Sequence, residues 1–524
     1  MTTSKWMNMG DVIKVHSQNI PDKQAISDKF KKYTFKEWNE RANRLSSTLK
    51  SMGVGYGDRF AILAYNCVEW MEIYLSCAKG GQVAVPIMFR LAPPEIEYVV
   101  NHAECKAFIV AKEFVDTVNN IKDKLPIPKD NYIFFGDDKT PEGYIHYEDV
   151  MAKGDPTERE EIVDSDHPWT FMYTSGTTGR PKGVVRTHES YMAQYYLNNI
   201  NMGVRVTDKV MLVMPMCHVN SIFYSFPYSL IGAEAFVYNM ISFDPEDLLK
   251  TIQDHKITFT SLVPTHYIMM LALPNKDKYD VSSIRQLLIS SAPARKDLKL
   301  AIMDYFKNAE LWEAYGSTEA GLVTLLRPED QMKKLGSIGK EIYGIDRIKI
   351  LDEEGKEVPV GEVGELYSRT PQIFKEYWKD PEKTKEVFQG EWFSAGDMAR
   401  QDEDGYYYLV DRKANMIITG GENVYPSEVE NVVGAHPAVK DVAVIGVPDE
   451  KWGEAVKAVV ILHESYVASD ELAKEIMEFC RGKIAGYKRP KSVDFIKEEE
   501  MPRTGTGKIL HRILRERYGK WSDQ

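Results

Sequence analysis

Cysteine is scarce and poorly spaced for either of its usual structural uses. Cys67, Cys77, Cys105, Cys217 and Cys480 are scattered along 524 positions without the close pairs of a metal site, and five is an odd number for a disulfide framework. Reduced thiols in a cytoplasm are the simpler reading. Positive charge is also short: 66 Lys plus Arg face 78 Asp plus Glu, a net charge of -12. That balance argues against nucleic acid or an anionic membrane as a general partner, since both need a basic field. Any anionic ligand must be held by local groups. No apolar run is long enough to give a transmembrane segment, and the opening MTTSKWMNMGDVIKVHSQ has no signal-like apolar core, so a cytoplasmic location is expected. Low-complexity tracts and short-period repeats are missing as well.

What is present is an ordinary globular composition, 43% hydrophobic and 27% charged, in a chain too long for one compact unit. Thr34 and Glu37 have the spacing of a capping box ahead of Trp38, Ala42, Leu45 and Leu49, which share a helical face that Gly53 closes. The strand-like RFAILAY, the helical VEWMEIYLSCAKGG and the strand-like QVAVPI follow, so the class is α/β. GDPTEREEIVDSDHP reads as a surface connection. Near the end, Leu472, Ile476, Phe479, Cys480 and Ile484 fall on one helix face closed by Gly486, and VAVIGV and AVKAVVIL read as buried strands of a separate small α+β domain.

The most informative segment is YTSGTTGRPKGV, Tyr173 to Val184. Gly176, Gly179 and Gly183 let backbone amides turn inward, Thr174, Ser175, Thr177 and Thr178 add hydroxyl donors, and Lys182 brings the charge a polyphosphate requires. A shorter Gly/Ser/Thr cluster would be read equally well as a surface turn. The Walker-type P-loop is excluded because Lys182 stands between Pro181 and Gly183.

This segment resembles the signature phosphate loop of the adenylate-forming superfamily, which includes acyl-CoA synthetases, peptide-synthetase adenylation domains and luciferases. The resemblance continues in order through MPMCHVN at 214–220, SSAP at 290–293, YGSTE at 315–319, GEVGEL at 361–366, WFSAGD at 392–397, DRKANMIITGGENVYPSEVE at 411–430 and PRTGTGK at 502–508. It implies a large N-terminal domain of helix-covered β-sheets with a small β-barrel-like part, residues 1–412, and a small mobile α+β C-terminal domain, residues 413–524. It also implies ATP, magnesium and coenzyme A as ligands, beside a small-molecule carboxylic acid. A homodimer is compatible with the chain but is not read from it.

The same resemblance assigns roles residue by residue. Tyr315 and the turn Ser291, Ala292, Pro293 would meet adenine. Thr318 would bind phosphate, and Glu319 would offer magnesium a hard oxygen. Asp397 and Arg412 would hold the ribose, although a structural ion pair is the plainer reading of those two residue types. Lys508 would bridge the carboxylate and the α-phosphate during adenylation. His218, with Asn220, would border the acid pocket, though a lone histidine among apolar residues is more often a satisfied core group. Gly420 and Gly421 would line a pantetheine tunnel, and Lys488 and Arg489 would meet coenzyme A phosphates, or else form a solvated basic patch.

Two positions depart from the pattern: Ala395 where Thr is usual before the Gly-Asp of the ribose motif, and Ala414 at the hinge position, commonly Asp or Lys. Acetate-specific relatives carry Trp where this chain has Gly316, so Gly316 is expected to leave space for an acid larger than acetate. The expected reaction is ATP-dependent formation of an acyl-AMP and then acyl-CoA, from a medium-length aliphatic or alicyclic acid. The alternatives are an aromatic, short-chain or carnitine-like acid, or a stand-alone adenylation enzyme whose acceptor is a carrier protein.

Overall fold

The computed structural model describes residues 7–136, 139–159, 162–174, 181–290, 294–419, 422–449, 452–504 and 507–519. The chain divides into two compact units, one made of Met1–Gly176, Pro181–Ile348 and Ser368–Phe393, the other of Thr177–Arg180, Lys349–Tyr367 and Ser394–Gln524.

In the first unit the capping box forms as its spacing predicts. Thr34 Oγ1 accepts from the Glu37 amide at 3.2 Å and the Glu37 carboxylate accepts from the Thr34 amide at 2.8 Å, opening the helix Phe35–Ser51. Trp38, Ala42, Leu45 and Leu49 are fully buried, and Gly53 takes φ +83° just past the helix end. Strand Arg59–Leu63, helix Glu69–Gly80 and strand Val83–Pro86 follow. Among the described residues the strands of this unit make two large sheets. One has nine strands, with parallel neighbours Lys209–Leu212, Phe259–Leu262, Gln286–Ile289 and Glu310–Ser317 and an antiparallel hairpin from Glu310–Ser317 to Gly321–Leu326. The other has eight, with Val83–Pro86, Arg59–Leu63 and Cys105–Ala111 parallel and an antiparallel hairpin from Pro168–Thr174 to Lys182–Thr187.

Helices Glu69–Gly80 and Val219–Leu230 are buried along every residue, which marks them as interior rather than surface helices. Trp169 Nε1 donates to the Tyr74 carbonyl at 2.8 Å, and its ring meets Phe226 edge-on at 5.2 Å, tying a strand of the eight-stranded sheet to both helices. The connection 154–168 is more than a surface strap, because Glu158 accepts from Lys79 at 2.9 Å and from Asn39 at 2.6 Å.

The second unit holds a four-stranded antiparallel sheet, Lys349–Leu351, Gly364–Tyr367, Asp397–Gln401 and Tyr407–Arg412. It also holds a five-stranded sheet around the long hairpin Val439–Asp449 to Gly453–Leu462. The helix expected to run to Gly486 ends sooner, at Phe479. Gly482 takes φ +74° and breaks the helical path, while Ile484 still packs against the same core from beyond the helix. Among the described residues no helix is long and apolar enough to cross a membrane.

One buried charge cluster in the first unit carries a pH signature. Glu72, fully buried, is bonded by Arg41 and by the Tyr147 hydroxyl at 3.0 Å, and Arg41 also reaches Glu148 at 2.8 Å. Burial pushes the Glu72 carboxyl up to about 7, against the lowering effect of Arg41. A carboxyl with a raised folded pKa binds its proton more tightly in the fold than in the unfolded chain. Its contribution is therefore favourable below the ordinary carboxyl range and is lost as pH rises toward 7. Glu72→Gln should flatten the fall in urea-unfolding midpoint between about pH 5 and about pH 8. An unchanged pH slope in the variant would rule out Glu72 as its source.

Candidate active site

The first unit assembles several of the expected groups around the turn of the hairpin Glu310–Ser317 to Gly321–Leu326. The turn carries Thr318 and Glu319 and is held along its length. Arg186, fully buried on the strand Lys182–Thr187, donates to the Thr318 carbonyl at 2.7 Å and to the Gln372 carbonyl at 2.8 Å. The Glu319 carbonyl accepts from the Phe374 amide at 2.7 Å, and its carboxylate accepts from the Tyr377 hydroxyl at 2.8 Å. The Leu322 amide is shared by the side-chain oxygens of Gln194 at 2.9 Å and Gln372 at 3.1 Å.

Thr174 stands opposite Lys182 in the strand register of the neighbouring hairpin, and the Lys182 ammonium lies 5.4 Å from the centre of the Tyr377 ring. One tyrosine thus touches both the lysine and the carboxylate. Burial lowers the Lys182 pKa and Lys383 adds to that, while Asp380, Glu386 and Glu319 oppose it. Gly183 sits in a close approach: a Cβ there would lie 3.1 Å from the Tyr173 ring and 3.3 Å from Trp378 Cβ, tight contacts that those side chains would have to yield to. Ser175, Gly176, Thr177, Thr178 and Gly179 lie outside the described residues, as do Ser291, Ala292 and Pro293.

His218 caps the helix Val219–Leu230, its Nδ1 accepting from the Asn220 amide at 3.2 Å, which leaves the ring proton on Nε2. The Asn220 side chain donates to Ser290 Oγ at 2.7 Å. Tyr315 is half-buried at the end of its strand. The segment leading from Ser290 is anchored where it resumes: the buried Lys299 ammonium pairs with Glu313, whose other oxygen accepts from the Ala294 amide at 3.4 Å.

The expectation that Gly316 leaves space for a larger acid is corrected by the geometry. A β-bulge falls between Tyr315 and Gly316, and a Cβ on Gly316 would lie 2.2 Å from the Gly321 carbonyl oxygen and 3.1 Å from Leu322 Cα. This glycine serves the close approach of two strands, and a side chain there meets backbone rather than a vacant pocket.

In the second unit Asp397 and Arg412 are register partners, and Arg412 Nε meets Asp397 Oδ1 at 2.6 Å. Arg412 also donates to the Ala395 carbonyl at 2.8 Å. Lys508 follows Gly507, which takes φ +87°, and its amide donates to Thr504 Oγ1 at 3.1 Å. The Lys508 side chain reaches solvent, yet enough protein crowds the ammonium to lower its pKa; Arg412 adds to the lowering and Asp397 opposes it. Lys488 is committed to Glu428 at 2.5 Å. Arg489 borders a small concavity with Lys474, Lys491 and Met477. Gly420 and Gly421 lie outside the described residues.

Sequence reasoning missed Arg186, Gln194, Gln372, Tyr377 and Arg515. The last donates from its guanidinium to the carbonyls of Ala414 at 3.1 Å and Asn415 at 2.5 Å. None of them left a trace before the structure, because residues that grip backbone carry no motif.

The arrangement can bind an anion through Lys182 and present one carboxylate beside it. Among the described residues no cluster of three or more metal-ligating side chains exists. The lone Glu319 therefore suits magnesium, which takes one or two carboxylates and completes its shell with phosphate and water, rather than a cation needing an all-protein cage.

Each unit thus carries groups expected of an enzyme that adenylates carboxylic acids. Residues 13–378 match the family model described as AMP-binding enzyme, and residues 428–508 that of the AMP-binding enzyme C-terminal domain. The chain belongs to this family and is an AMP-forming acyl-CoA synthetase. It is 35% identical over 487 residues to the long-chain-fatty-acid–CoA ligase FadD13 of Mycobacterium tuberculosis, covering 93% of each chain. It is likewise 35% identical over 492 residues to a feruloyl-CoA synthase of Amycolatopsis sp, covering 93% of this chain and 94% of that one. The crystal structure of the anthranilate CoA ligase AuaEII in complex with anthranoyl-AMP superposes with a TM-score of 0.86 at 30% identity, over 98% of this chain and 97% of that one.

The Gly316 geometry yields a direct test. Gly316→Ala should destabilise the protein by about 1–3 kcal/mol, the usual range for forcing an extra carbon into a packed site, read as a lowered thermal unfolding midpoint. Gly316→Trp should suffer more and should not simply exchange a long acid for acetate. An unchanged midpoint in the alanine variant would restore the open-space reading.

Proposed function

We propose that the acid is one of several carbons, medium-length aliphatic or alicyclic with aromatic acids close behind, and that coenzyme A rather than a carrier protein receives the acyl group. The named relatives support the size, since their names specify long-chain fatty and feruloyl groups and an anthranoyl-AMP complex. The observation that supports the adenylation step is the convergence on Tyr377, whose hydroxyl holds Glu319 and whose ring faces Lys182.

In the proposed reaction an acid oxygen attacks the α-phosphorus of ATP and pyrophosphate leaves. Lys182 and the hairpin that bears it, with Ser175, Gly176, Thr177, Thr178 and Gly179, bind the phosphates. Thr318 holds the α-phosphate, and Tyr315 with Ser291 to Pro293 receives adenine. Asp397 accepts from the ribose hydroxyls with Arg412 beside it. Magnesium, held by Glu319, would supply charge neutralisation on the polyphosphate. Lys508 stabilises the charge that develops between carboxylate and phosphate. His218 and Asn220 border the acid.

The coenzyme A thiol then attacks the acyl carbonyl as thiolate, its proton passing to solvent, and AMP leaves. Residues 413–524 are proposed to act as a mobile domain that withdraws Lys508 and brings Gly420 and Gly421 to the thiol's path. Because Lys488 is tied to Glu428, Arg489 is the better placed of the pair for a coenzyme A phosphate.

Pyrophosphate release measured across acids from two to ten carbons should give kcat/KM values for six- to eight-carbon acids at least about tenfold above acetate, since each buried methylene is worth about 0.8 kcal/mol. A preference for acetate would refute the size assignment, and turnover that depends on an added carrier protein would refute the thiol acceptor. Lys508→Ala should lose adenylation by about 100-fold while still converting supplied acyl-AMP to acyl-CoA. Equal loss in both steps would refute the alternating use of Lys508.

A further inference from the structure

Arg186 is a fully buried cation that no ion pair neutralises among the described residues. Its guanidinium is satisfied instead by three carbonyls, of Thr318 at 2.7 Å, Gln372 at 2.8 Å and Ser190 at 3.4 Å, and by the faces of Tyr191 and Phe223 at 4.7 and 5.0 Å. Its Nε has no hydrogen-bond partner among the described residues. Taking a guanidinium out of water without a paired anion is costly, so packing alone does not explain the residue.

Its bonds do. Thr318 and Gln372 lie on separate segments, and the fork of Arg186 fixes both carbonyls at once, which only a planar two-pronged donor does well. Gln372 in turn grips both the amide and the carbonyl of Leu322, at 3.1 and 3.0 Å. The turn 317–321 is thus clamped at Thr318 by Arg186 and just past its end by Gln372, with the Glu319 carbonyl fixed by Phe374 at 2.7 Å. Glu319 is also the carboxylate that acts on the Arg186 charge.

We propose that Arg186 is a positioning residue for adenylation: it sets the Thr318–Glu319 turn from behind and places a fixed positive charge there, so that the two side chains face the polyphosphate already oriented. This rests on the reading of the turn as the phosphate and magnesium site. The second half-reaction contains no polyphosphate, so it depends on this alignment far less.

The test uses the full-length protein, with Arg186→Met, which keeps bulk but neither charge nor fork, and Arg186→Lys, which keeps charge and one prong. ATP–pyrophosphate exchange is measured beside conversion of supplied acyl-AMP to acyl-CoA, with unfolding midpoints as the control for folding. Exchange kcat/KM for ATP should fall by about 30-fold or more in Arg186→Met and by about fivefold in Arg186→Lys, while acyl-AMP conversion changes by less than about threefold. Equal losses in both half-reactions, or a folded variant that keeps exchange within about threefold, would overturn the proposal. If Arg186→Met fails to fold, Arg186→Lys decides by the same comparison. Absence of exchange in the unmutated protein with every acid would instead indict the reading of the site itself.

Discussion

Two backbone carbonyls on separate segments, those of Thr318 and Gln372, converge on the guanidinium of Arg186, and the shape of the carboxylate turn follows from that convergence. A turn between antiparallel strands exposes polar backbone that its own hairpin does not satisfy. Here the surplus is absorbed by side chains from three other places: Arg186 from the strand Lys182–Thr187, Gln194 from the following helix, and Gln372 from the segment beyond 368. Each bond couples a local turn to a distant stretch of chain, so the turn cannot shift unless those segments shift with it. A site that works by orienting charges needs this stiffness, because a misplacement of an ångström removes most of the benefit of preorganisation.

The second unit solves a different problem, holding a cation near other charges. Lys508 is crowded enough for its pKa to fall, with Arg412 nearby and Asp397 as the compensating anion. Asp397 is itself buried against its strand partner, so its carboxylate is fixed. Incompletely compensated positive charge favours an incoming anion, and the two partners of the pair supply both a donor and an acceptor beside it.

Much of this was legible in the residues. The capping box at Thr34 and Glu37, the buried face of the helix it opens and the strands that follow depend on local spacing, which sequence displays directly. The helix beginning at Asp470 was overextended because its apolar pattern continues to Ile484; a single left-handed glycine at 482 ended it, and pattern does not reveal which glycine adopts that conformation. Gly316 misled for a related reason. A missing side chain is ambiguous between a space left for ligand and a space taken by backbone, and the bulge in its strand makes it the second. Arg186 sat unremarked among valines and threonine because its meaning lies wholly in partners 132 and 186 positions away.

The two departures from the family pattern are explained by backbone. Ala395 lacks the hydroxyl usual at its position, but its carbonyl accepts from Arg412 at 2.8 Å and so helps to fix that side chain. Ala414 lacks a charged side chain, but its carbonyl accepts from Arg515 at 3.1 Å, and the same guanidinium also takes the carbonyls of Asn415 and Met416. The residues on either side of this segment are fastened too, Lys413 to Glu365 at 2.8 Å and Asp411 by the Ser427 amide at 2.8 Å. In this arrangement the stretch 411–416 is held by contacts to its main chain and flanking side chains. The C-terminal helix His511–Tyr518 thus fastens this stretch through Arg515, a hundred residues from the position where a charged side chain is usual.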